Sequence, residues 1–160
     1  ELAFGADENG KIAFTKNKHN LRKEIRNAMF QRVEAIDRED ITLLATLDSA
    51  AGWGEEKWNV ALDEYFEEYE YVGTDSAARS EKFFQILEDP SLADLIAAGM
   101  SADRAAELLE QHFPGRLWLT IQVIDDGEDD LAWALWSLID LDRSDEEDHL
   151  AIELIRFGQR

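Results

Sequence analysis

The chain of 160 residues is 45% hydrophobic and 10% aromatic, enough to bury a core of its own, and it carries a formal net charge of −20. It has no cysteine, which excludes a disulfide framework, a thiol nucleophile and thiolate metal ligation. The acidic surplus repels phosphate backbones and anionic membrane surfaces at long range, and no apolar run approaches the ~20 residues that span a bilayer.

No basic n-region followed by an apolar h-region opens the chain, and Glu1-Leu2-Ala3-Phe4 reads as the interior of a longer polypeptide. The expectation is a cytoplasmic protein or part of one, with residues 1–160 forming one domain. Asn9-Gly10 lies between the short apolar pieces Leu2-Ala3-Phe4 and Ile12-Ala13-Phe14, so residues 1–19 read as a small hairpin or a linker. Charge is unevenly spread. Between residues 11 and 33, seven basic side chains face the single acid Glu24, which leaves that stretch at about +6 and the remainder at about −26. Such a stretch can pair with the acidic body of its own domain, contact a nucleic-acid strand, or dock a neighbouring domain. Lys16, Lys18, Arg22, Lys23 and Arg26 are therefore the candidate partner-binding or nucleic-acid-binding residues.

Asn20 suits the N-cap of a long helix over 21–38, in which Leu21, Ile25, Met29 or Ala28, Val33 and Ile36 fall on one stripe. A short helix over 40–47 follows. A third is predicted over 55–70, with Glu55 and Glu56 favourable in its first turn and Trp58, Leu62, Tyr65 or Phe66, and Tyr69 on its buried side. Asp63 with Glu67 and Glu64 with Glu68 are like-charge pairs at four-residue spacing, each costing a few tenths of a kcal/mol; they mark a solvated acidic face or a dock for a basic partner. Residues 81–87 are ambiguous between helix and strand, with a slight preference for helix. Ser91 and Asp94 fit a capping box that Gly99 closes, and Ser101 opens a further helix reaching Phe113.

Beyond Pro114-Gly115 the period changes to two. Leu117, Leu119, Ile121 and Val123 alternate. Leu131, Trp133 and Leu135 follow, with Trp136 and Leu138 opposite, and then Leu150, Ile152 and Leu154, with Ile155 and Phe157 opposite. These are half-buried strands. The charged links 125–130 and 142–148 read as exposed loops, and links this short imply an antiparallel meander. Helices first and strands afterwards make the chain α+β, with N-terminal helices packed on a meander of at least three strands; a cone-like curved sheet is one form this can take.

Chemistry-bearing motifs are few. His19, His112 and His149 have no metal-ligand spacing, and no phosphate-binding loop, nucleophile elbow or dinucleotide fingerprint is present. The run from Asp140 begins like a calcium loop, but Asp145 stands at the sixth position and Ala151 at the twelfth, where glycine and glutamate are needed. Residues 125–130 read as a solvated turn or a weak site for a hard cation. No catalytic residue, metal site or cofactor is expected. Trp53, Trp58 and Tyr65 could face a pocket between the third helix and the sheet, or serve as core aromatics.

Five strings resemble, in order and spacing, the C-terminal domain of uncharacterised function of actinobacterial DEAD/DEAH-box superfamily-two helicases. They are Arg26-Asn27-Ala28-Met29-Phe30-Gln31-Arg32-Val33-Glu34, Ala51-Gly52-Trp53, Val72-Gly73-Thr74-Asp75-Ser76-Ala77-Ala78-Arg79, Gln122-Val123-Ile124-Asp125-Asp126 and Asp140-Leu141-Asp142-Arg143-Ser144-Asp145-Glu146. The segment 89–116 looks like an insertion. The resemblance implies part of a helicase that lacks the ATP-binding motor motifs. It would be a non-catalytic accessory domain contacting the motor lobes or another protein, with nucleic acid met through the parent helicase. A small-molecule-binding or isomerase-like domain is the alternative, and weak single-strand contact through 11–32 a further one.

Overall fold

The computed structural model describes residues 13–160, and most of the hairpin-or-linker segment lies outside the described residues. Helix α1 spans Lys18–Asp37. It starts three residues earlier than the Asn20 cap predicts, because the Asn17 side chain accepts a hydrogen bond from the Asn20 amide at 3.1 Å and so satisfies one of the free amides of the first turn. The expected stripe is buried: Leu21, Ile25, Met29, Val33 and Ile36 are all at 1% exposure or less, each contributing roughly 1.5–3 kcal/mol of burial. Helix α2 spans Ile41–Asp48, capped by Asp40, and α3 spans Glu55–Glu68.

Four strands follow, β1 (Phe84–Leu87), β2 (Leu117–Val123), β3 (Trp133–Asp140) and β4 (Ile152–Gln159). They form one antiparallel sheet in chain order, β1-β2-β3-β4. The fold is α+β, as the sequence predicts. Helices α4 (Leu92–Ala97) and α5 (Ala102–Gln111) lie between β1 and β2, and α6 (Leu141–Glu147) between β3 and β4. The Ser91–Asp94 capping box forms in full. Among the described residues no helix is long and apolar enough to cross a membrane.

Several expectations are corrected. Residues 84–87 are strand rather than helix: Phe84 pairs with Gln122 and Leu87 with Leu119, and pairing with β2 outweighs a weak local preference. The two central strands are not half-buried, since β2 is buried except at Ile121 and β3 from Trp133 to Ile139, whereas β4 is half-buried, with only Leu154 and Phe157 fully covered. Helices α1, α2 and α3 cover one face, where Ile25, Leu44, Trp58 and Tyr65 join Trp133, Leu135 and Phe157 of the sheet in one core. The segment read as an insertion supplies the layer on the other face, where Leu95, Met100 and Ala105 meet Leu119, Trp136 and Leu138.

The predicted loop 142–148 is largely the helix α6, because Asp140 caps it through the Arg143 amide at 3.0 Å and Leu141 and Ser144, three residues apart, turn inward. Phe157 was expected opposite Leu154, yet both belong to the same core. A register shift opposite Trp136 and Ser137 passes over Ile155, and one extra residue inverts the alternation beyond it.

The acidic link 125–130 is not wholly solvated either. Asp126 is 3% exposed and accepts from the amides of Glu128 at 2.8 Å and Leu131 at 3.0 Å. Gly73 donates its amide to the Asp125 carbonyl at 2.8 Å, and a Cβ there would fall 2.4 Å from the Asp125 carboxylate. Only glycine permits that approach.

Candidate functional site

Three regions carry the side chains that sequence reasoning singles out, and the fold treats them differently. The basic stretch is drawn largely onto its own domain. Arg22 pairs with Glu88, which also lies 3.7 Å from Lys18, and the Arg22 guanidinium stands 5.7 Å from the ring centre of Trp118. Arg26 donates to the Arg79 carbonyl at 2.7 Å and stands 5.1 Å from the Phe84 ring centre. Lys16 and Lys23 are exposed. The five are thus not gathered into one free cationic face; Arg22 and Arg26 hold α1 to the segment around β1.

The aromatic residues form a cluster. Trp58 and Tyr65 are wholly buried, Trp53 nearly so. Tyr65 meets Trp133 edge-on at 5.4 Å, Trp133 meets Phe157 at 5.2 Å, and Trp58 meets Phe157 at 5.8 Å, spacings at which aromatic pairs add to simple burial. The Tyr65 hydroxyl donates to the Tyr71 carbonyl at 2.6 Å. Burial, with the charges of Asp126 and Asp125 and neighbouring Tyr69, pushes its pKa up. Trp58 and Tyr65 therefore belong to the interior, whereas Trp53 reaches its edge.

That edge borders an open groove of about 1190 Å³ between α3 and β4. Its walls include Trp53, Phe157 and Arg156, with Glu64, Glu67 and Glu68 along the helix rim. Strand β4 ends the sheet here among the described residues, so backbone groups along it face outward. Two of them are already taken. Trp53 Nε1 donates to the Ile155 carbonyl at 3.2 Å and Arg156 Nη1 to the Gln159 carbonyl at 2.8 Å, which blunts the edge against indiscriminate strand pairing. The Arg156 guanidinium lies 4.0 Å from the Trp136 ring centre, and burial lowers its pKa from the ordinary arginine value. Lys57 sits 4.5 Å from the ring centre of Trp53. Chemically the groove is an apolar floor with an acidic rim, suited to an extended segment bearing positive charge.

The third region was not visible as a site in the sequence. His112 at the end of α5 meets Asp140 and Asp142 at the corner joining β3 to α6. His112 Nε2 lies 3.1 Å from Asp140 Oδ2, and Nδ1 lies 2.7 Å from the Leu108 carbonyl. Burial alone would lower the His112 pKa, but the Leu108 carbonyl and the Asp140 and Asp142 carboxylates outweigh it and raise the value. Beside them Arg116 binds Asp142 at 2.7 Å and Asp145 at 2.6 Å. His112 and Asp140 are 28 positions apart, so no local spacing signals the group; the run from Asp140 stands out only as an incomplete calcium loop.

No curated protein and no solved structure matches the chain. A family model described as a domain of unknown function (DUF3516) matches residues 3–157, running through the segment 89–116 as well as the sheet and the groove. The chain belongs to the DUF3516 family.

Proposed function

We propose that this is a non-catalytic accessory domain that acts through protein contacts, with the acidic groove between α3 and β4 as its docking surface. The observation that supports this most directly is how the fold disposes of its two charged faces. Arg22 and Arg26 of α1 are drawn onto Glu88 and the Arg79 carbonyl, while Glu64 and Glu67 of α3 stay exposed beside an open strand edge. The like-charge pairs on α3 oppose helix formation slightly, and a basic partner would relieve that repulsion. The partner proposed is the motor lobes of a DEAD/DEAH-box helicase chain, on the strength of the five strings quoted above. The acidic balance makes direct nucleic-acid binding secondary, and these residues contain no phosphate-binding loop with which to hydrolyse ATP themselves.

The test is the ATPase rate of such motor lobes with this domain added in trans. The reading expects a saturable change in rate that Glu64→Lys with Glu67→Lys abolishes. A rate that never responds to the wild-type domain overturns the motor contact. A response untouched by the paired substitution removes the groove.

A further inference from the structure

The ring of His112 is only 8% exposed and is turned toward the corner where β3 enters α6. Its Nδ1 lies 2.7 Å from the Leu108 carbonyl oxygen. A carbonyl oxygen can only accept, so Nδ1 carries a hydrogen, and the lone pair of the neutral ring is on Nε2. That lone pair faces Asp140 Oδ2 at 3.1 Å. Two acceptors do not sit at this distance unless either a proton on Nε2 or a metal ion between them joins the pair. The carboxylate cannot easily turn away, because Asp140 Oδ1 is held by the Arg143 amide at 3.0 Å. Asp142 completes a group whose ligand atoms all lie within 4.8 Å of one another.

We propose that His112, Asp140 and Asp142 form a binding site for a first-row divalent transition-metal cation, typified by Zn²⁺. Its ligands are the imidazole Nε2 and one oxygen from each carboxylate. Two ligands each about 2.1 Å from a common metal stand roughly 3.0–3.4 Å apart at octahedral to tetrahedral angles, and the separation of 3.1 Å between Nε2 and Oδ2 falls there. The far nitrogen of a metal-bound histidine characteristically donates to a backbone carbonyl or carboxylate, which fixes the ring and its tautomer; the Leu108 carbonyl holds that position. Arg116 Nε binds Asp142 Oδ1 at 2.7 Å, leaving Oδ2 for the metal and orienting the carboxylate as an outer partner would.

Charge favours occupancy. Asp142 and Asp145 share the guanidinium of Arg116 while Asp140 lies against His112, so a divalent cation adds to the neutralisation that Arg116 begins. An imidazole with two carboxylates selects zinc or a neighbouring transition metal over calcium and magnesium, which prefer all-oxygen sites, and over copper(I), which prefers sulfur. Three protein ligands leave a fourth position for water or for a group from outside the chain. Because the ligands come from α5 and from the β3–α6 corner, metal would clamp the outer helical layer to the end of the sheet.

The experiment is calorimetric titration of ZnCl₂ into the metal-free 160-residue protein. In parallel, Co²⁺ replaces zinc so that its visible d–d bands report coordination, and ¹⁵N NMR reads His112 Nε2. The expected result is one equivalent bound, a Co²⁺ spectrum of low coordination number and a metal-dependent shift at Nε2. His112→Gln should weaken binding by more than the roughly 10–100-fold that loss of an outer partner costs, and Asp142→Asn should weaken it measurably. His149→Gln, at an exposed histidine beside Glu147, should bind as the wild type does. If His112→Gln does not fold, Asp142→Asn carries the same test, since that side chain is 43% exposed. Absence of stoichiometric binding, or binding that both site substitutions leave intact, overturns the proposal. So does an Nε2 that holds a proton and ignores metal.

Discussion

Arg32 of α1 and Asp48 of α2 form an ion pair sealed from solvent, their side chains 2% and 1% exposed. Arg32 Nη2 reaches Asp48 Oδ1 at 2.7 Å and Nε reaches Oδ2 at 2.9 Å, while Nη1 donates to the Ala28 carbonyl at 2.8 Å. Every charged atom is thereby answered. Removing one partner leaves the other buried and alone, so Asp48→Ala should cost about 3–5 kcal/mol in urea denaturation, whereas Arg32→Met with Asp48→Leu should be far milder. Equal losses in the two variants would show that shape, not charge, holds this pair.

The three tyrosines of the chain report the acidic loop next to them. Tyr69 donates to Asp130 Oδ2 at 2.7 Å, and that hydrogen bond, with burial and the charge of Asp130, pushes its pKa up to about 12. Burial and nearby carboxylates raise Tyr65 and Tyr71 too. Folding favours the neutral phenols, so their contribution is complete below the ordinary value of 10.0 and is lost as pH rises through the raised values. An alkaline absorbance titration should therefore show Tyr65 and Tyr69 still almost wholly protonated at pH 10. A normal tyrosine titration there would contradict the hydrogen bond to Asp130.

Asp126 organises the link from β2 to β3 by accepting from the amides of Glu128, Asp130 and Leu131. Asp126→Ala strips several amides of their acceptor at once and should cost on the order of 1–3 kcal/mol. Hydrogen exchange should accelerate first at those amides. Uniform acceleration across the sheet would mean the loop has no local stability of its own.

This carboxylate also marks the limit of what the sequence discloses. The buried stripe of α1, the Ser91–Asp94 cap and the strand alternation were legible because each is a repeat within a few residues of chain. Asp126 was not, since its burial depends on amides that fold back over it, and its neighbours Asp125, Asp129 and Asp130 give the same local signal. The helix α6 was hidden in a similar way, by charge that its outer face tolerates. Of the candidate sites, the sequence offered Trp53 and the acids of α3. It could not show that they share a groove with Arg156, about a hundred residues further on.

Arg26 and Lys23 should separate structural cations from available ones. Arg26 donates to the Arg79 carbonyl and covers the Phe84 ring, so Arg26→Glu should cost about 1 kcal/mol. Lys23 is exposed, and Lys23→Glu should change stability by less than about 0.5 kcal/mol. Thermal melts of the two variants decide the matter; identical midpoints would leave Arg26 as free as Lys23.

Asp145 governs the acid side of the stability profile. Burial raises its pKa, but the amide and hydroxyl of Thr15 and the Arg116 guanidinium outweigh that and hold it below the ordinary value of 3.8. The stabilisation is present above that ordinary value and is lost as pH falls through the depressed one. Urea midpoints measured on the acid side of 3.8 should fall less steeply for Asp145→Asn than for the wild type. Parallel profiles would remove Asp145 from the acid response.

Phe157 belongs to the aromatic cluster that α3 completes, yet it lies on the last strand. During synthesis α1, α2 and α3 leave the ribosome roughly 90 residues ahead of it, an interval of about 5–18 s at translation rates of 5–20 residues per second. For most of that time Trp58 and Tyr65 lack the strands they pack on, since Trp133 of β3 and Phe157 of β4 come late in the chain. The nascent chain thus carries an unfinished apolar surface that β3 and β4 must arrive to close, and slow translation between α3 and β4 prolongs its exposure.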